Sequence, residues 1–110
     1  MQSQIFVKYI IHMVALTDIE RLISHTHSDW APAFYNKAVL LTAMGRKKEA
    51  IDVYTKAIEL DAHLAPAYYN RALLYLEIGK QSEAEIDLSR AGELGLYKSY
   101  NLLKSSKHKP

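Results

Sequence analysis

Apolar and small residues recur along the middle of the chain at steps of four and three, the spacing of one face of a helix. Phe34, Ala38 and Leu41 form the first such set, and Tyr68, Ala72 and Tyr75 form a second. Pro32 and Pro66 stand just before them, where a helix has a free N–H and where a fixed φ is already helical, so each marks a helix start. Gly45 and Gly79 close the two segments. A further helix follows each glycine, and in the first copy its apolar set is Ala50, Ile51, Tyr54, Ala57, Ile58 and Leu60. The pattern predicts helices over 32–44, 47–60, 66–78 and 81–93, with a short closing helix over 97–105.

These segments are two copies of one unit. APAFYNKAVL at residues 31–40 returns as APAYYNRALL at residues 65–74, thirty-four residues later, and the same offset pairs Glu49 with Glu83, Ala50 with Ala84, Tyr54 with Leu88 and Ala57 with Ala91. Self-similarity at this period points to a helical repeat array, in which each helix pair buries its apolar face only by stacking on its neighbours. Alanines at 38, 50, 57, 72, 84 and 91 allow close helix approach, and the aromatic residues fill the wider gaps. Ala38, Ala72, Tyr54 and Tyr75 are therefore expected to be buried.

Phe34, Ala38, Leu41, Gly45, Ala50, Tyr54 and Ala57, with their counterparts Tyr68, Ala72, Tyr75, Gly79, Ala84, Leu88 and Ala91, resemble the tetratricopeptide repeat over residues 31 to about 95. The family's proline after the second helix is shifted here into the first turn of the first. The resemblance implies an all-α fold, a right-handed superhelix of antiparallel helix pairs. It divides the chain into one domain with an incomplete leading repeat at 1–30, repeats at 31–64 and 65–96, and a closing helix with a basic tail at 97–110. Thr17, Ile19, Ile23 and Trp30 then fall one period before Ile51, Val53, Ala57 and Leu64. The Ala-Gly-Glu-Leu-Gly run at 91–95, followed by Tyr100 and Asn101, is similar to the C-terminal end of bacterial multi-repeat proteins of this family. Gly92 and Gly95 are expected to interrupt or end the preceding helix.

Residues 5–16, IFVKYIIHMVAL, are apolar nearly all round. They are too few to span a bilayer, and they make a poor signal peptide, having no positive charge before the apolar run and no small-residue cleavage site. A cytoplasmic location is expected on that ground. A helix hydrophobic on every side calls for a cover, which is either an upstream repeat or a second copy of the chain. The leading segment is expected to be one long helix or two meeting near residues 12–16.

Composition narrows the chemistry. The 110 residues, 49% of them hydrophobic with four glycines and three prolines, suit one compact helical domain. Absence of cysteine excludes disulfides and thiolate metal sites. The formal net charge of +2 is too small to imply nucleic acid. The clusters Arg46, Lys47, Lys48 and Lys104, Lys107, Lys109 read as a solvated turn and a chain end rather than a continuous basic face. His25, His27 and Asp29 lack the convergent third ligand that a zinc site needs. No phosphate cradle or nucleophile motif is present, so no cofactor and no enzyme activity is expected, and an RNA-binding role ranks behind protein binding.

In a tetratricopeptide array the first helices line a concave groove. The resemblance places Tyr35, Asn36, Val39, Thr42 and Ala43, then Tyr69, Asn70, Leu73, Leu76 and Glu77, on that face, with Asn101 continuing the row. Asparagine can donate and accept, so Asn36, Asn70 and Asn101 are candidates to hold an extended peptide while Tyr35, Tyr69 and Tyr100 supply apolar contact; equally, the asparagines could tie neighbouring helices together. The family's carboxylate clamp for chaperone tails needs basic residues, and Tyr35, Val39 and Pro66 stand in their places. The expected role is a scaffold that binds a peptide or protein partner, and the alternative is self-assembly through residues 5–16.

Overall fold

The computed structural model describes residues 2–26 and 29–107. Six helices account for nearly all of them: α1 (Gln2–Thr26), α2 (Ala31–Ala43), α3 (Lys47–Leu60), α4 (Ala65–Glu77), α5 (Gln81–Glu93) and α6 (Lys98–Lys107). The described residues contain no strand. The four repeat helices lie within one residue of their expected bounds. The leading segment is a single helix, and the closing helix begins one residue later and ends two later than expected.

The helix ends follow from local chemistry. Pro32 and Pro66 sit in the first turns of α2 and α4. Each of these helices ends on a glycine in the left-handed region, Gly45 at φ 79° and Gly79 at φ 83°. At the first, the Gly45 N–H donates to the Thr42 carbonyl at 3.0 Å and the Arg46 N–H to the Leu41 carbonyl at 2.9 Å, the paired reverse bonds that satisfy the last carbonyls of a helix. The same pair of bonds recurs at Gly95, where Gly95 donates to Gly92 and Leu96 to Ala91. Gly95 thus ends α5, whereas Gly92 lies inside it.

Packing is densest within the pairs α2–α3 and α4–α5 and thinner between successive pairs. The dimensions of 41 × 38 × 20 Å make the molecule two helix diameters thick, as expected for a row of helix pairs. Ala38, Ala50, Ala57, Ala72, Ala84 and Ala91 are all fully buried. Small side chains at these places let the backbones approach, and Tyr54, Leu41, Leu74 and Leu88 fill the intervening space. Tyr75 departs from expectation and is only half-buried. Its ring packs against both apolar clusters, with the Arg71 guanidinium 5.7 Å from the ring centre, and its open side lines a surface recess beside Lys48, Asp52 and Lys80.

Arg71 is the centre of a network that periodicity did not reveal. Its Nε and Nη2 each donate to an Asp87 carboxylate oxygen at 2.7 Å, and Nη1 donates to Thr55 Oγ1 at 2.9 Å. One side chain of α4 thereby joins α3 and α5. Burial works against the guanidinium's charge, yet Asp87 outweighs it and raises the Arg71 pKa. In the first copy the same position is Lys37, which reaches back to Glu20 of α1 at 3.4 Å.

Glycine also explains how α6 docks. A Cβ at Gly92 would overlap the Tyr100 ring. The first copy has the bulkier Ile58 at this place, so only the second can accept an aromatic ring directly against its second helix. Leu102 and Leu103 of α6 then cover the cluster of Ala72, Ala84 and Leu88.

Candidate peptide-binding groove

α2 and α4 lie side by side, and between them is a recess of about 340 Å³ lined by Val39, Thr42, Ala43, Tyr54, Asn70, Leu73, Leu74 and Glu77. Six of the residues proposed from sequence for the groove meet here: Val39, Thr42, Ala43, Asn70, Leu73 and Glu77. The walls are aliphatic, and the polar atoms are few and fixed.

Asn70 is half-buried and donates from Nδ2 to the Tyr35 hydroxyl at 3.1 Å, joining α4 to α2. The Tyr35 ring meets Tyr54 edge-on, with 5.8 Å between centres and 60° between planes, an arrangement favoured by ring quadrupoles. Tyr54 comes from α3 and is almost fully buried, yet it reaches the recess. Burial pushes its phenol above the ordinary tyrosine pKa, while polar contact with Thr42 and Asn70 works the other way. The Thr42 hydroxyl donates to the Ala38 carbonyl at 2.8 Å, which leaves its oxygen as an acceptor. At the rim, Glu77 pairs with Lys47 at 3.1 Å. Both side chains of that pair are exposed, so it contributes little to stability.

Of the remaining proposed residues, Tyr35 adjoins the recess through Asn70 and Tyr54, and Asn36, Tyr69 and Asn101 stand apart from it. Asn36 is exposed on α2, and Asn101 is exposed on α6. Tyr69 is half-buried, with the Lys98 ammonium 4.6 Å from its ring centre. The three asparagines therefore do not form a uniform row, because α6 docks early and Asn70 alone has a neighbouring tyrosine hydroxyl within reach. Tyr54 and Leu74 line the recess without having been proposed for it. A signal for Tyr54 did exist: a tyrosine on an apolar stripe where the other copy has Leu88 implies a hydroxyl in need of a polar outlet.

No group of three or more His, Asp or Glu side chains that could hold a metal ion occurs among the described residues. His27 and Lys109 lie outside the described residues. No helix is long and apolar enough to cross a membrane among those described.

The family model of the tetratricopeptide repeat matches residues 31–64, and a second model of that repeat matches residues 53–86. The chain belongs to the tetratricopeptide repeat family. Together the two matches span residues 31–86, the segment in which the two sequence copies were read. No curated protein matches the chain.

Solved structures show the same superhelix. The type III secretion chaperone SycD of Yersinia enterocolitica, in complex with a peptide of the translocator YopD, superposes with a TM-score of 0.82 at 22% identity, over 96% of this chain and 88% of that one. MamA matches with a TM-score of 0.77 at 21% identity, over 84% of this chain and 54% of its own. YrrB, described as a tetratricopeptide repeat protein with an unusual peptide-binding site, gives a TM-score of 0.71 at 26% identity, over 80% of this chain and 46% of its own. The chain therefore spans about half the length of MamA and of YrrB.

Proposed function

We propose that this tetratricopeptide array is a non-catalytic scaffold that binds an extended peptide or protein segment in the groove formed by α2 and α4. The observation that carries this reading is the recess itself: aliphatic walls from Val39, Ala43, Leu73 and Leu74 around the hydroxyl and amide of Tyr54 and Asn70. An apolar concavity with a few fixed polar groups is the usual form of a binding site. The peptide in the SycD complex and the peptide-binding site of YrrB support the choice of ligand class. Asn36, Tyr69 and Asn101 extend the proposed surface along the first helices, with residues 1–30 as the incomplete leading repeat. Glu77 is the recess's own charged residue, and its sign disfavours a partner's terminal carboxylate.

The test is to pan a random peptide library against the chain and to measure the recovered peptides by titration calorimetry on Leu73→Glu, a change at a half-buried wall position. Peptides that bind the unaltered chain should lose at least tenfold in affinity to the variant. Equal affinity for both, or recovery of no peptide, would place the binding surface elsewhere.

A further inference from the structure

We infer that the free side of α1 pairs antiparallel with α1 of a second copy of this chain. α1 has 25 residues and α2, on which it packs, has 13, so α1 is longer by twelve. Its contact side is marked by burial: His12, Ala15, Leu16, Ile19 and Ile23 are covered or half-covered, and Leu16 enters the core cluster with Ala38, Leu41 and Tyr54. Those positions recur at three and four residues, as one helical face must. Phe6, Val7, Ile10, Met13 and Val14 project from nearly the opposite side, and they are 44% to 65% exposed. Tyr9 and Ile11 flank this surface, whereas the exposed Ile5 shares the direction of Ile23 on the contact side. Lys8 is the one lysine, arginine or acid between Gln4 and Thr17.

Three properties select a second copy as the cover. The first is area. Phe6, Val7, Ile10, Met13 and Val14 together expose on the order of 500 Å², so a symmetric pair buries about 1,000 Å², the lower end for a specific interface.

The second is symmetry. Phe6, Ile10 and Met13, with Val7 and Val14 beside them, keep the spacing of a paired-helix seam. A two-fold axis through Ile10 sets Phe6 against Val14 and Val7 against Met13, so the stripe is complementary to itself.

The third is charge. The same axis brings Asp18 level with the partner's helix start at Gln2, where unpaired N–H groups favour a carboxylate. Parallel pairing would instead set Asp18 beside Asp18 at the edge of the seam. The inference stands on α1 and the groove reading on α2 and α4, so either can fail alone.

Because the chain has no cysteine, single introduced cysteines report the pairing directly. Sedimentation equilibrium of the unaltered chain should show a reversible monomer–dimer equilibrium. Met13→Glu should weaken it at least tenfold while leaving the helical circular dichroism unchanged. Under mild oxidation Ile10→Cys, next to the axis, should give a covalent dimer in high yield. Phe6→Cys alone should not, but Phe6→Cys mixed with Val14→Cys should. A monomer at every concentration, a species larger than a dimer, or equal self-crosslinking at positions 6, 10 and 14 would each overturn the antiparallel pair.

Discussion

Ala72 and Arg71 are adjacent in sequence and hold the array together in opposite ways. Ala72 has no exposed surface, so each added methylene must displace a neighbouring helix. Ala72→Leu is expected to cost about 1–3 kcal/mol by overpacking, measured as a lower midpoint in urea. A midpoint equal to the parent's would show that the helices at this contact can yield. Arg71 works through polar atoms instead. Its partner Asp87 is 3% exposed, and removing that carboxylate would strand a guanidinium in a mostly apolar setting. Asp87→Ala should therefore cost roughly 3 kcal/mol. The paired change Arg71→Met with Asp87→Leu should recover most of the loss, because the charge and its burial cost disappear together. Chemical denaturation of the single and double variants gives the coupling. If the double variant loses as much as the sum of its singles, Arg71 and Asp87 are uncoupled and their pairing contributes nothing.

The helices owe their ends to glycine and their docking to side-chain volume, and Gly92 shows where these requirements compete. In a helix interior alanine is favoured over glycine by about 1 kcal/mol, so on propensity alone Gly92→Ala should stabilise α5. The Tyr100 ring occupies the space that the new Cβ would need. The variant is expected to release α6, seen as faster amide exchange over residues 98–106 with α2 to α4 unaffected. Adding Tyr100→Ala should leave exchange in α5 slow without slowing it in α6. Slow exchange throughout the single variant would mean that α6 can shift to accommodate a methyl group. Gly95, by contrast, is needed for its backbone: at φ 105° it adopts a conformation that other residues rarely reach.

An array of repeats is only as cooperative as the contacts between them. Leu74 belongs to α4 but is buried in the cluster built on Ala38, Leu41, Ala50 and Tyr54, so it ties the second repeat to the first. Leu74→Ala should cost about 2–5 kcal/mol for the cavity left behind. It should also broaden the denaturation curve, since weaker coupling lets the repeats unfold separately. A lower midpoint with the slope unchanged would argue that other contacts, such as the Arg71 bridge from α3 to α5, suffice for a single transition. Because one face of the recess rests on Leu74, the same variant is expected to weaken any peptide that binds there.

Much of this architecture is written in local spacing. A period of thirty-four residues, prolines ahead of two helices and glycines behind them set helix number, length and order, because propensity and capping act over a few neighbouring residues. The alanine contacts follow equally directly, since both copies carry small residues at matching places. Contacts between residues far apart in sequence were decided only by tertiary packing. Tyr54 looks like core in sequence, yet its hydroxyl emerges between α2 and α4 beside Asn70. Tyr75 looks like core too, but it packs between the two clusters with one side open to a surface recess beside Lys48 and Asp52. Asn36 and Asn70 occupy identical places in their repeats and differ in environment, because Tyr35 lies within reach of only the second. A repeat fixes the direction of a side chain within its own helix; what that side chain meets depends on the neighbouring helix, whose sequence differs from copy to copy.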